Sequence, residues 1–143
     1  MYRFFVVIFQ RFFYYISFGN FPPPFVSSVV VIKKGEKILL IDRNDGLGLS
    51  LPGGFVGLHE KTEEAAKREV KEETGLNVEI NNIITILSGV RKGTKICSAD
   101  IVYSGKIIGN NKTQDSFEGK CKWINLNELD KYKIALDYRE VLE

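Results

Sequence analysis

Between Thr62 and Thr74 the chain reads as a helix, and nearly everything on either side reads as strand. That arrangement limits the fold more than any bulk property. Thr62 is the expected N-cap, Glu63 and Glu64 suit the positive end of the helix dipole, and Gly75 suits the residue that stops it. Ala65, Ala66 and Val70 give the helix a small apolar stripe for packing. Upstream, "FVSSVVVIKKGEKILLIDR" predicts two strands turned at Lys34-Gly35-Glu36. "NDGLG" is a second turn, and "LSLPGGF" a short strand that breaks at Pro52-Gly53-Gly54. Downstream, "LNVEINNIITILSGV", "KICSADIVYSGKIIG" and "CKWINL" predict strands, "NLNELDKY" a short helix and "LDYREVLE" a C-terminal helix. One central helix among strands predicts an α/β (α+β) sandwich, with sheet between helices.

The beginning of the chain is built differently. Of 17 aromatic residues, 11 fall in the first 25 positions. The prolines at 22 to 24 divide an N-terminal segment, residues 1–21, from a compact domain, residues 22–143. The apolar run before them is shorter than the roughly 20 residues a spanning helix needs. Arg11 interrupts it and no small-residue cleavage site follows, so it is a poor signal peptide. Arg3, Gln10 and Ser17 recur every seven residues and form one polar stripe of a helix. That spacing favours an amphipathic helix over a strand, which the aromatic content also suits. So wide an apolar face requires a cover. The covers to expect are the domain itself, a second copy in a homodimer, or a membrane surface with Arg3 and Arg11 near anionic headgroups.

Twenty basic and 18 acidic residues leave a net charge of +2, which gives no reason to expect a nucleic-acid groove. Cys97, Cys121 and the single histidine, His59, make no zinc pattern. Two structural thiols fit a reduced, cytoplasmic protein.

The acidic content of the central helix needs its own account. Glu69 lies three residues before Glu72 and four before Glu73, so the three carboxylates crowd one side of a helix. Like charges at those spacings are mildly destabilising unless a hard cation binds them. Arg68 can fix carboxylates through paired hydrogen bonds, and Gly53 and Gly54 let backbone approach a metal or phosphate closely. The plainer alternative is a solvated helix face laced with Glu–Lys pairs.

The stretch from residue 54 to 76 resembles the Nudix hydrolase signature, G-x5-E-x7-R-E-U-x-E-E-x-G-U. Gly54, Glu60, Arg68, Glu69, Val70, Glu72, Glu73, Gly75 and Leu76 fill every fixed position. Looser similarity runs from about residue 26 to 130. The resemblance implies a Nudix-like α/β/α sandwich and Mg2+- or Mn2+-dependent cleavage of a nucleoside diphosphate linked to another group. It implies Glu72 and Glu73 as metal ligands with the Gly53 carbonyl, Glu69 as ligand or base, Arg68 as the orienting residue and Glu60 as support. A further acid is expected from the loop before Trp123, with Glu118 preferred over Asp115. Arg43, Arg91 and Lys92 are expected to ring the pocket, and His59 is a weaker candidate for phosphate contact.

The substrate is less marked. Family members that cleave ADP-ribose often carry a proline about fifteen residues beyond the signature, and here all four prolines precede it. The tyrosine typical of dinucleoside polyphosphate hydrolases is also missing. A nucleoside triphosphate or nucleotide sugar is the broad expectation. The alternative is a module of the same fold that senses a nucleotide without cleaving it. Such modules usually lose signature carboxylates, and this chain keeps them all.

Overall fold

A computed structural model of the chain describes residues 2–19 and 24–142. The expected boundary between residues 21 and 22 lies outside the described residues. The N-terminal segment is a helix, α1 (Tyr2–Ile16). Seven strands follow: β1 (Phe25–Lys34), β2 (Lys37–Arg43), β3 (Leu49–Ser50), β4 (Gly53–Phe55), β5 (Asn77–Val90), β6 (Cys97–Ile108) and β7 (Gly119–Asn125). Helix α2 (Thr62–Thr74) lies between β4 and β5, and the chain ends in a 3-10 turn, Leu126–Lys131, and a four-residue helix, α3 (Arg139–Leu142).

β1 is the hub. It runs parallel to β6 and antiparallel to β4 and, near its end, β2. β5 closes one edge on β6, while β2 carries β3 and β7. The mixed sheet is apolar on both faces, which is why β1 reads as the unbroken run Val29 to Ile32. Val30, Ile32 and Leu39 pack against Ala66 and Val70 of α2. Val29, Val31 and Leu40 pack on the other face with Leu129 and Tyr138 of the C-terminal segment. The result is helix, sheet, helix, as the strand–helix pattern predicts.

Three local expectations change. Thr62 is the first helical residue and not the cap. Its hydroxyl meets the Tyr103 hydroxyl at 2.7 Å, and the Glu64 carboxylate accepts the Lys61 N–H instead. Gly53 and Gly54 do not simply break a strand, because they begin β4 and pair with Val29 and Ser28 of β1. The aromatic face of α1 is not covered by the domain: Phe5, Phe12 and Tyr15 are all more than half exposed.

α1 touches the domain at Gln10 of its polar stripe. The Gln10 side chain donates to the Cys97 carbonyl at 2.9 Å and accepts the Cys97 N–H at 3.2 Å. β1 begins opposite Ser98, one residue further along β6, and Pro24 before it has no N–H to offer. The Gln10 amide thus stands in for the missing strand partner.

Candidate functional site

The site is assembled where β4 runs into α2. Gly53 has a φ of 150°, and a side chain there would strike the Ser28 carbonyl and the Val29 backbone of β1. Glycine therefore lets β4 lie flat on β1. Gly54 solves a different problem: a Cβ there would sit 2.6 Å from the Glu69 carboxylate. The carboxylate occupies the space that the missing side chain leaves.

Arg68 is the hub of the charges. Its guanidinium grips both Glu60 oxygens at 2.7 and 2.9 Å, and donates to Glu69 at 2.7 Å, to Glu72 at 3.2 Å and to the Phe55 carbonyl at 3.0 Å. The pair with Glu60 is bidentate, the geometry a planar guanidinium favours. With the Gly57 N–H, it holds the Glu60 carboxyl down to about 2. Arg68 itself is held firmly protonated by Glu60 and Glu69.

The two inner carboxylates, Glu69 and Glu73, shift the other way from Glu60. Burial raises Glu69 above its ordinary value, with Glu72 and Glu118 adding repulsion and Arg68 opposing it. Glu73 is 5% exposed and accepts the Gly53 N–H at 2.8 Å. Burial, with the charges of Glu118 and Glu69, pushes its carboxyl up to about 8. Too many carboxylates share too little positive charge. Glu72 points outward, with its side chain 59% exposed.

A cavity of about 530 Å3 opens beside these groups. Glu69, Arg68, Gly53 and Gly54 form one wall, and Arg43, Arg91 and Glu118 line it as well. Glu118 thus lies where a further acid is expected. Asp115 does not, because its carboxylate accepts the Cys121 N–H at 3.0 Å. Arg43 is anchored on Asp45. His59 is exposed in the loop before α2 and does not line the cavity, and neither does Lys92. Arg91 is no solvated turn residue. It is 5% exposed, 3.3 Å from Asp137 and 4.0 Å from Asp100, and its Nε and Nη1 have no hydrogen-bond partner.

The cavity floor holds polar residues that sequence reasoning missed. Asp100 is buried and accepts hydrogen bonds from the Ser27 and Ser98 hydroxyls, with the Tyr138 hydroxyl 3.5 Å away. Burial and the Asp100 charge raise Tyr138 far above the usual phenol range. The signal was available in "CSADIV". Alternation places Ser98 and Asp100 on the same face as Val102, so a carboxylate points into the core. Among the described residues, no three acidic, thiol or imidazole side chains already surround one point as a metal cage would.

A Nudix domain model matches residues 22–143. The chain belongs to the Nudix family. It is 33% identical over 123 residues to an ADP-ribose pyrophosphatase of Methanocaldococcus jannaschii, covering 84% of this chain and 72% of that one. It is 32% identical over 114 residues to a putative 8-oxo-dGTP diphosphatase of Bacillus subtilis, covering 79% and 74% respectively. The crystal structure of a MutT protein from Methanosarcina mazei superposes with a TM-score of 0.70 at 25% identity, covering 84% of this Nudix chain and 91% of that one. The mixed seven-stranded sheet with its helices is thus the Nudix fold.

Proposed function

We propose that this chain is a divalent-cation-dependent pyrophosphohydrolase. It cuts a pyrophosphate bond in a nucleoside diphosphate linked to another group, with nucleoside triphosphates and nucleotide sugars the broad substrate class. The observation that carries the reading is the Arg68 carboxylate cluster opening onto a cavity that also holds Arg43 and Arg91. The two relatives, a pyrophosphatase and a diphosphatase by name, support the same chemistry.

The residues fit a hard cation. Glu69, Glu72, Glu73 and the Gly53 carbonyl offer only oxygen donors, which suit Mg2+ and also Mn2+. The raised pKa values of Glu69 and Glu73 are those of a cluster short of positive charge. A bound divalent ion would neutralise phosphate charge and acidify a water. The chain's own residues do the rest. Arg68 orients the carboxylates, Glu60 braces Arg68, and Glu69 serves either as ligand or as the base that takes a proton from water. Glu118 adds a carboxylate beside Glu73. Arg43 and Arg91 face the substrate.

In this reading residues 22–143 are the hydrolase, working in the cytoplasm, and residues 1–21 serve an interface. The deciding experiment incubates the full chain with Mg2+ and a panel of nucleoside triphosphates, 8-oxo-dGTP, ADP-ribose and nucleotide sugars, scored for mononucleotide release. EDTA should abolish turnover. Nucleotide binding without cleavage of any panel member would replace this reading with that of a sensing module.

A further inference from the structure

Helix α1 is docked with the opposite polarity to an ordinary amphipathic helix. Its Gln10 side is turned to the domain, and Val6 beside it is buried. At about 100° per residue, Phe4, Phe5, Ile8, Phe9, Phe12 and Ile16 share an arc of about 140° on the other side. Each of them is between 46% and 67% exposed. Tyr15 lies in the same arc, and Phe18 stands 94% exposed just past the helix end, at a φ of 54°. Water is a poor neighbour for such a face.

Along α1 and along the turn at residues 91–97 every charged residue is basic. No acidic residue precedes Glu36 in the chain. Arg11 is exposed at the edge of the aromatic arc. Lys92 and Lys95 are exposed in the turn leading to Cys97, the residue that Gln10 holds. We propose that the outward face of α1, with Phe18, lies in an anionic lipid surface, with Arg11, Lys92 and Lys95 against the headgroup phosphates. This stands apart from the hydrolysis reading and does not depend on it.

Charge favours lipid over a second copy. A two-fold pair of these helices would bring cationic segments together with no acid among their residues to neutralise them. The other exposed apolar strip, Ile84, Ile86 and Val90 on edge strand β5, is poorly shaped for strand pairing. Register shifts between Ile80 and Thr85, and Gly89 at a φ of 118°, blunt it. No helix among the described residues is long and apolar enough to cross a bilayer, so α1 would lie on the surface.

Co-sedimentation of the full chain with vesicles tests this. The chain should pellet with equal parts phosphatidylglycerol and phosphatidylcholine, and much less with phosphatidylcholine alone. A Phe5→Ser, Phe9→Ser, Phe12→Ser variant should bind about tenfold more weakly, or worse. Arg11→Glu should cost about fivefold at low salt. An unchanged melting temperature and an unchanged circular dichroism spectrum would show that the variants are folded. Full-chain protein left in the supernatant, equal binding to both vesicle types, or undiminished binding by the triple variant would each overturn the proposal. A soluble dimer that the triple variant dissociates would do so too, and would assign the face to a second copy.

Discussion

Helices α1 and α2 each concentrate one kind of residue on one face, and the protein treats the two faces in opposite ways. Glu69 and Glu73 of α2 turn toward the sheet and the loop, where Arg68, the Gly53 N–H and the space beside Gly54 receive them. Phe4, Phe5, Phe9, Phe12 and Tyr15 of α1 stay largely exposed. The first face is defined by what it is bonded to, and the second by what it lacks. A charged cluster held inside its own domain points to small ions and substrates, whereas an apolar face held outside points to a large partner.

The sharpest way to break the α2 side is to remove one anionic oxygen. Glu72→Gln and Glu73→Gln should each lower kcat by about 100-fold or more with the fold retained, measured by mononucleotide release and circular dichroism. Near-native turnover in either variant would remove that residue from the site. Gly54→Ala tests the space and not the charge. Its methyl would displace the Glu69 carboxylate, so activity should drop by up to about 100-fold while the backbone is unstrained. An active Ala variant would show that the position of Glu69 is not critical.

Arg91 joins the cavity wall to the C-terminal segment, and truncating it leaves Asp100 and Asp137 without their cation. Arg91→Ala should cost about 3 kcal/mol in denaturant unfolding and raise KM more than it lowers kcat. An unchanged KM would make Arg91 purely structural. Of similar size is the pH effect. Unfolded, Glu73 ionises near 4.5, whereas in the metal-free fold it keeps its proton to about 8. The folded state therefore binds more protons between those values, and stability should fall as pH rises through that window, by a few kcal/mol. Glu73→Gln should flatten the slope, and a slope of the opposite sign would refute the assignment. The weakest test belongs to α1. Gln10→Ala should cost about 1 kcal/mol and leave hydrolysis unchanged.

The carboxylate cluster was legible because its spacing is local: Arg68, Glu69, Glu72 and Glu73 meet wherever a helix forms. The strands were legible for the same reason, through β-branched runs and glycine turns. What stayed hidden depends on contacts distant in sequence. Asp100 meets Ser27 across 73 residues, and buried Arg91 pairs with Asp137 from the C-terminal segment. Thr62 looked like a cap, but a tyrosine on β6 claimed its hydroxyl. Periodicity put Gln10 on the polar side of α1. It could not say which way that side would face, because the match of one glutamine to one strand end depends on a contact distant in sequence.

That match also sets an order in time. Gln10 and Cys97 are separated by 87 residues. The groups that Gln10 binds are presented only after β6 has paired with β5 and β1 has begun beside it. Closing so long a loop in an open chain would cost about 4 kcal/mol in entropy, but a finished domain brings its ends near each other beforehand. Helix α1 is thus expected to be the last of the described elements to settle, with Phe5 and Phe12 still exposed when it does. Pulse-labelled hydrogen exchange during refolding should protect the Val102 amide before that of Cys97, and simultaneous protection would contradict this order.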